Sequence, residues 1–266
     1  MFFLLAAFAL LFGAIVGSFL NVVIHRYPRE ESIVFPPSHC PECDAPIRWY
    51  DNVPLLGFAV LLGRCRACRQ PISWRYPLVE LANALFYLAI FLHTGPQIVF
   101  FFLAAMVSML IVLIYIDAEI QILPDVIDIP GIVIGLAIGT LGLSASAPQL
   151  MLSESWLDAA LGAIVGGGIV AAIIGAYWLV RRVEGMGWGD SKMLAMIGAL
   201  LGWRAVFGVL ILGSISGAII GVPVALRSRE GMRLAVPFGV FLGLAALVVL
   251  FFGPTLSGWY LSLILR

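Results

Sequence analysis

Residues 162–180 read GAIVGGGIVAAIIGAYWLV and residues 195–213 read AMIGALLGWRAVFGVLILG, and between these apolar runs lies GMGWGDSKML at positions 185–194. Each run approaches the roughly 20 apolar residues that a helix needs to cross a bilayer. The chain is 62% hydrophobic and only 11% charged, which is too little charge for the surface of a soluble protein of 266 residues. We therefore predict an all-α polytopic membrane protein with Asp190 at the mouth of a helix.

Further apolar segments of spanning length occur at residues 2–24, 77–92, 97–116, 126–143, 157–180 and 234–252. Between Lys192 and Arg227 lie 34 residues, more than one ordinary crossing needs, so we expect two helices that break near residues 202–204. These segments predict about eight transmembrane helices. The first is expected to be retained, since it lacks the basic segment and cleavage site of a secretory signal. The last stretch, LSGWYLSLILR, is too short to cross and is expected at the membrane interface.

The basic residues predict how the chain is oriented in the membrane. Of the 15 lysines and arginines, seven lie from Arg26 to Arg75. Two further clusters consist of Arg181, Arg182 and Lys192, and of Arg227, Arg229 and Arg233. With the N-terminus outside, 13 of the 15 are cytoplasmic, and Arg204 and Arg266 are the exceptions. We therefore expect a first transmembrane helix at 1–24, a cytoplasmic insert at 25–76 and a multi-helix membrane domain at 77–266. The net charge of zero gives no indication of nucleic-acid binding.

All four cysteines lie in the insert, as two C-x-x-C pairs with 21 residues between them: Cys40, Cys43, Cys65 and Cys68. The segments CPECDAPIRW and CRACRQPISW align as C-x-x-C-x-x-P-I-x-W with a period of 25 residues. Two such turns facing each other form a tetrahedral zinc site with four sulfur ligands, a closed and therefore structural arrangement. The alternative is two disulfides or four unrelated thiols, and a reducing cytoplasm disfavours disulfides. An insert of about 50 residues is too small to build a large hydrophobic core, so a structural metal is expected to stabilise it.

Two acidic residues are expected at one membrane face. Asp117 ends the third predicted span, and Asp190 begins the sixth, so the orientation derived from basic residues puts both at the cytoplasmic side. Ionisable residues at the edge of the hydrocarbon are costly and indicate function. Two neighbouring carboxylates can divide the work of a hydrolase, one ionised and taking a proton from water, the other protonated and donating to a carbonyl oxygen. The alternative for Asp190 alone is an acid at the positive end of a helix.

Other polar residues give weaker indications. Gly187 and Gly189 are expected to let a substrate approach the backbone, with positive φ in the turn. Lys192, the only lysine, is interpreted either as a partner of Asp190 or as an interfacial anchor. Asp125 is interpreted as a helix N-cap.

Glu80 and Asn83 lie three residues apart near the start of the second predicted span. They are candidates either for binding a polar ligand during methyl transfer or for holding helices together.

Four stretches carry a resemblance to a known family: GSFLNVVIHRYP at 17–28, the insert and its flank at 40–80, YIDAEIQILPD at 115–125 and GMGWGDSKML. They resemble the bacterial bifunctional type IV prepilin peptidase/N-methyltransferases. The resemblance implies an inner-membrane aspartic endopeptidase that cleaves the leader peptide of type IV prepilins and type II secretion pseudopilins at the cytoplasmic face. It also implies methylation of the new N-terminus from S-adenosylmethionine. Asp117 and the aspartate of GxGD, Asp190, match the family's catalytic pair, and the cysteine loop matches its zinc-binding loop.

Two other classes of protein remain as alternatives. A transporter with proton-relay acids would place them near the midplane, often within inverted repeats, and no such repeat is visible here. A zinc-bearing scaffold for a membrane assembly accounts for the insert but not for the acid pair.

Overall fold

The computed structural model describes residues 1–182, 187–227 and 236–264. Within these ranges the regular structure is helical. Nine α-helices follow one another there: α1 Phe2–Arg26, α2 Leu56–Val60, α3 Arg75–Thr94, α4 Ile98–Ile120, α5 Asp125–Thr140, α6 Trp156–Arg181, α7 Trp188–Leu201, α8 Trp203–Arg227 and α9 Phe238–Ile264.

Six of these helices, α1, α3, α4, α6, α8 and α9, are long and apolar enough to cross a membrane. The prediction of an all-helical multi-pass membrane protein is therefore confirmed. The other two predicted crossings correspond to α5 and α7, which have 16 and 14 residues. At 1.5 Å per residue, these helices are about 24 and 21 Å long, shorter than the roughly 30 Å hydrocarbon core of a typical bilayer.

Two helix boundaries bear on the sequence predictions. Gly202 ends α7 with a φ of +84°, and α8 begins at Trp203, which is where a break was expected. The stretch expected at the interface continues α9, which runs through Pro254 to Ile264, and its position at the interface stays a prediction. Arg229, Arg233 and Arg266 of the basic pattern, and Gly185 of the GMGWGD stretch, lie outside the described residues.

The chain divides into two compact units, which we describe separately: Met1–Pro96 with Leu103–Val112, and Gln97–Phe102 with Leu113–Arg266. The first unit contains α1, α3 and the insert between them. Asn83 of α3 is fully buried, donates to the Gly13 carbonyl of α1 (2.7 Å) and accepts from the Ser108 hydroxyl (3.0 Å). This amide joins three helical segments of the unit, as expected of a polar side chain between membrane helices.

The second unit is organised around α7, whose residues from Met193 to Leu201 are all buried except the half-buried Ala195. The helices α6 and α7 approach so closely at Gly162 and Gly198 that a Cβ on either glycine would overlap the carbonyl of the other. On another face of α7, a Cβ on Gly135 of α5 would lie 2.8 Å from Ala199. Small residues thus bring three helix backbones together. At the start of α7, next to Asp190, the Ser191 hydroxyl donates to the Gly167 carbonyl of α6 at 2.8 Å, which holds this end of the helix in place.

Candidate active site and metal centre

Asp117 lies in the last turn of α4 and is buried. The helix ends there because Gln121 adopts the left-handed conformation (φ 57°), with its N–H donating to the Asp117 carbonyl. The Asp117 side chain points to the start of α9, where the Val240 N–H donates to Oδ2 at 2.9 Å. The sequence did not indicate this contact between a helix end and an acid 123 residues away.

Asp190 lies in the first turn of α7 and is also buried. Its charge interacts with that of Asp117. Leu123 lies against the start of α7, which carries Asp190, and against the start of α9, which contacts Asp117. A Cβ on Gly189 would be 2.8 Å from Leu123 Cβ, and a Cβ on Gly239 would be 3.1 Å from Leu123 Cδ1 and 2.9 Å from Asp117 Oδ2. The structure therefore brings the two predicted acids together within the second unit.

The expectation about the glycine turn is wrong in one respect. Gly187 has φ −74° and ψ 143°, an extended conformation open to any residue, and Gly189 is a helical residue of α7 without positive φ. What Gly189 supplies is space, because a side chain there would collide with Leu123.

Lys192 does not pair with Asp190. Its Nζ donates to both carboxylate oxygens of Asp125, at 2.6 and 2.7 Å. Asp125 is the first residue of α5 and Pro124 is the N-cap, so the capping interpretation of Asp125 is also wrong. One turn further, Asp128 is completely buried, and neither of its oxygens has a hydrogen-bond partner within the described ranges. A third acid therefore lies near the pair, and Asp190, Asp125 and Lys192 act on it electrostatically.

The Lys192–Asp125 ion pair should contribute little to stability. Its side chains are 43% and 55% exposed, and exposed pairs are typically worth about 0–1 kcal/mol. We expect Asp125→Asn to retain most of its cleavage activity. Its unfolding temperature and that of Lys192→Gln should be lowered only slightly and equally, as measured by thermal unfolding in detergent. A loss of cleavage comparable to that of an Asp190 variant would contradict this and add Asp125 to the catalytic groups.

The two cysteine turns of the insert have the same backbone geometry, as their repeated sequence predicts. The N–H of Cys40 donates to Ala45 O (3.0 Å), and that of Cys65 donates to Gln70 O (2.9 Å). The isolated bridges His39–Pro46 and Arg64–Pro71 flank the two turns in the same way. Asp44 and Arg69, at matching positions, both have positive φ, at 55° and 63°.

The four thiols are free, and their sulfur atoms all lie within 4.8 Å of one another. The Sγ atoms of Cys40 and Cys68 are 3.9 Å apart. A tetrahedron with Zn–S distances of about 2.3 Å has edges of about 3.8 Å, so the donor set fits a zinc ion. Backbone N–H groups of Cys68 and Ala67 lower the pKa of the Cys65 thiol to about 6, which favours its thiolate, whereas burial raises the pKa of the Cys40 and Cys43 thiols.

The insert and the adjacent ends of α1 and α3 enclose a cavity of about 930 Å³ in the first unit. Glu80 borders it and accepts a hydrogen bond from the Leu55 N–H at 2.7 Å. Asn83, the other candidate, does not line the cavity. Its amide group instead forms hydrogen bonds that connect helices. Asn21 does line it: Nδ2 donates to Tyr76 O (3.0 Å), while its buried Oδ1 has no partner among the described residues.

Sequence reasoning missed two polar residues of the GSFLNVVIHRYP stretch. Asn21 borders the cavity, and the buried Arg26 donates to the carbonyls of Ser32 (3.0 Å) and Pro37 (3.4 Å). The sequence does single out Asn21, because a polar amide inside an otherwise apolar predicted span is energetically costly and therefore indicates a role.

Two family profiles match the chain. The Bacterial Peptidase A24 N-terminal domain matches residues 11–94, and the Type IV leader peptidase family matches residues 103–222. No solved structure gives a significant match.

Curated relatives named "Prepilin leader peptidase/N-methyltransferase" match over most of the chain. The protein of Aeromonas hydrophila is 36% identical over 276 residues, covering 95% of this chain and 92% of the relative. That of Stutzerimonas stutzeri is 36% identical, with 96% and 93% covered. That of Myxococcus xanthus is 40% identical over 232 residues, covering 86% of this chain and 66% of the relative.

Proposed function

Because the chain belongs to the type IV leader peptidase family, we propose that it cleaves the leader peptide of type IV prepilins and type II secretion pseudopilins and then N-methylates the new N-terminal residue. The observation that carries the peptidase proposal is the pair of buried acids, Asp117 and Asp190, at facing helix ends of one unit. The names of the relatives support the pairing of the two activities.

The proposed cleavage uses the two carboxyl groups with one proton between them. The ionised carboxylate takes a proton from a water molecule, whose oxygen bonds to the scissile carbonyl carbon. The protonated carboxyl gives its proton to the carbonyl oxygen. When the tetrahedral intermediate collapses, the C–N bond breaks and the acid that took the water proton gives it to the leaving amine. The other acid regains a proton from the hydroxyl that becomes the new carbonyl, which restores the starting state. Burial strengthens the charge interactions on which this division depends.

The reaction is proposed to occur at the cytoplasmic face, with the N-terminus outside and the insert inside the cell. The support is the distribution of Lys and Arg, of which seven fall from Arg26 to Arg75. Cysteine labelling with a membrane-impermeant reagent tests it: Cys43, which is exposed, should react in zinc-stripped inverted vesicles and not in intact cells. Reaction in intact cells would reverse the orientation.

For methyl transfer we propose the cavity of the first unit. Its volume of about 930 Å³ lies within the roughly 300–1,000 Å³ range of small-molecule sites. Its lining has mixed charge, with the arginines Arg26, Arg48, Arg66 and Arg75 beside the acids Glu31, Glu42, Asp44, Asp51 and Glu80. Asp51 is paired with Arg66, whereas the acid proposed to face a cationic donor and an amine is Glu80. S-adenosylmethionine, when bound, supplies the methyl group as an electrophilic sulfonium. Glu80 would accept a proton from the α-amino group, which titrates near pH ~7.7–8.0 when unperturbed, and Asn21 Oδ1 would orient its N–H.

Glu80→Gln should lower methylation of a pre-cleaved pilin by about 100-fold or more, since general bases contribute about 10²–10⁴-fold. Glutamine keeps the size and an oxygen to accept the Leu55 N–H, so only the charge is lost. Cleavage of intact prepilin should be unchanged. Glu30→Gln, which changes an exposed acid that does not line the cavity, is the matched control. Equal losses of cleavage and methylation in Glu80→Gln would argue for a structural role.

The overall proposal is tested by incubating purified protein with a prepilin, with and without S-adenosylmethionine, and weighing the products. We expect leader loss in both samples and an added methyl group only with the donor. An uncut prepilin would favour a transporter or a scaffold.

A further inference from the structure

The two acids have different surroundings. Asp117 Oδ2 accepts the Val240 N–H at 2.9 Å, and Val240 is the third residue of α9. Amides in the first turn of a helix have no partner within the helix, and the helix dipole is positive there. The first turn of a 27-residue helix thus stabilises a negative charge on Asp117 through a direct hydrogen bond.

Asp190 has no comparable donor among the described residues. It also lies in the first turn of a helix, but within the described ranges no group donates a hydrogen bond to its carboxylate, and the charge of Asp117 acts against a second negative charge. A buried carboxyl without a donor and beside an ionised acid is best kept neutral by its proton.

We propose that Asp117 is the ionised member of the pair and takes the proton from water, that Asp190 is the proton donor, and that Gly239 and the Val240 N–H position the Asp117 carboxylate. This inference rests on the proposed two-aspartate mechanism and assigns its two roles. The proton of Asp190 goes to the carbonyl oxygen, and the proton of water goes to Asp117.

Gly239 is buried and lies beside the carboxylate. A Cβ at Gly239 would lie 2.9 Å from Asp117 Oδ2 and 3.1 Å from Cγ, closer than a carbon can approach without displacement. The atoms in the way belong to the end of a side chain, so an alanine would turn the carboxylate away instead of disrupting the helix. Glycine at this position therefore keeps the first turn of α9 open for the acid.

The test uses two variants, each with a control from the same helix. Gly239→Ala should lower kcat on the order of 100-fold, the effect of about 1 Å of misplacement, with KM retained. Gly258→Ala, where a Cβ would meet no atom within 4 Å, should cleave like the wild type. Val240→Pro removes the N–H in a helical turn that tolerates proline, whereas Val240→Ala keeps it. All are compared at equal amounts of folded protein, verified by thermal unfolding.

The pH profile of kcat/KM separates positioning from a merely structural role. Without the Val240 N–H, ionised Asp117 loses its donor, so the acidic limb for Val240→Pro should move to higher pH, and Val240→Ala should not shift. Within the part of the chain that the structure describes, the other charged groups near the pair are Asp128 and the Asp125–Lys192 ion pair, which all these variants leave in place.

An unchanged kcat in Gly239→Ala together with an unmoved profile in Val240→Pro would overturn the assignment. So would losses fully explained by a smaller folded fraction. Asp117→Asn, measured in parallel, separates this failure from failure of the proposed mechanism: an inactive Asp117→Asn with normal Gly239→Ala refutes only the positioning, whereas an active Asp117→Asn refutes both.

Discussion

Asp117→Asn and Asp190→Asn should each abolish leader cleavage in a protein that still folds. An amide can neither take a proton from water nor give one up as a carboxyl does, and general acid–base groups contribute about 10²–10⁴-fold each. A double variant should lose no more cleavage activity than either single variant, since either change removes the shared proton on which both steps depend. The measurement is mass spectrometry of a prepilin incubated with each variant.

Both variants should still methylate a pre-cleaved pilin, which shows that they are folded. Asp125→Asn is the matched acid-to-amide control, because Asp125 is on the surface and pairs with Lys192. Cleavage by either variant of the pair at more than a few per cent of the wild-type rate would rule out the dyad. Loss of both activities together would point to misfolding, and the test would then be repeated with Asp117→Glu and Asp190→Glu, for which we expect folded proteins with little cleavage.

The positions of the two acids followed from sequence because topology is strongly encoded in a membrane protein. Apolar length sets the helices and Lys and Arg set the orientation, so Asp117 and Asp190 were expected at one level before any packing was known. Their proximity in the second unit agrees with that expectation. Their catalytic role stays a prediction.

The contacts that the sequence did not predict correctly are those that depend on how the helices rotate and pack. Lys192 lies two residues from Asp190 in sequence, but residues two apart on a helix point in different directions, and its partner is Asp125. The contact of Asp117 with Val240 joins residues 123 positions apart through a backbone N–H, which every residue except proline carries. No residue type marks such a donor, so only the fold could reveal it.

The insert was predictable for a different reason. The repeat C-x-x-C-x-x-P-I-x-W fixes two turns independently of the rest of the chain, and the structure has the same hydrogen bonds in both. The cavity beside it was not predictable in detail. It depends on Asn21 of α1, Glu80 of α3 and Leu55 of the insert meeting across distant parts of the sequence.

Removal of zinc should abolish methylation before it affects cleavage. The insert lines the proposed methyl-transfer cavity and supplies the Leu55 N–H that holds Glu80, whereas Asp117 and Asp190 belong to the helices of the second unit. A small domain that depends on one structural metal unfolds when the metal is removed. Elemental analysis should first give about one zinc per chain, as four sulfur ligands imply.

The sharpest variant is Cys65→Ser, because backbone N–H groups favour the thiolate at this position and serine offers no comparable ligand. We expect lower zinc content, loss of the added methyl group and continued loss of the leader, scored separately by mass spectrometry of the released pilin. Arg64→Gln, next to Cys65 and outside the cavity lining, is the control and should keep both zinc and methylation, since four thiolates already close the site. If cleavage fails first while a pre-cleaved pilin is still methylated, the roles are reversed, and the insert must support the peptidase site. A zinc-free wild-type protein with normal methylation would instead show that the cysteine centre is not needed for the cavity.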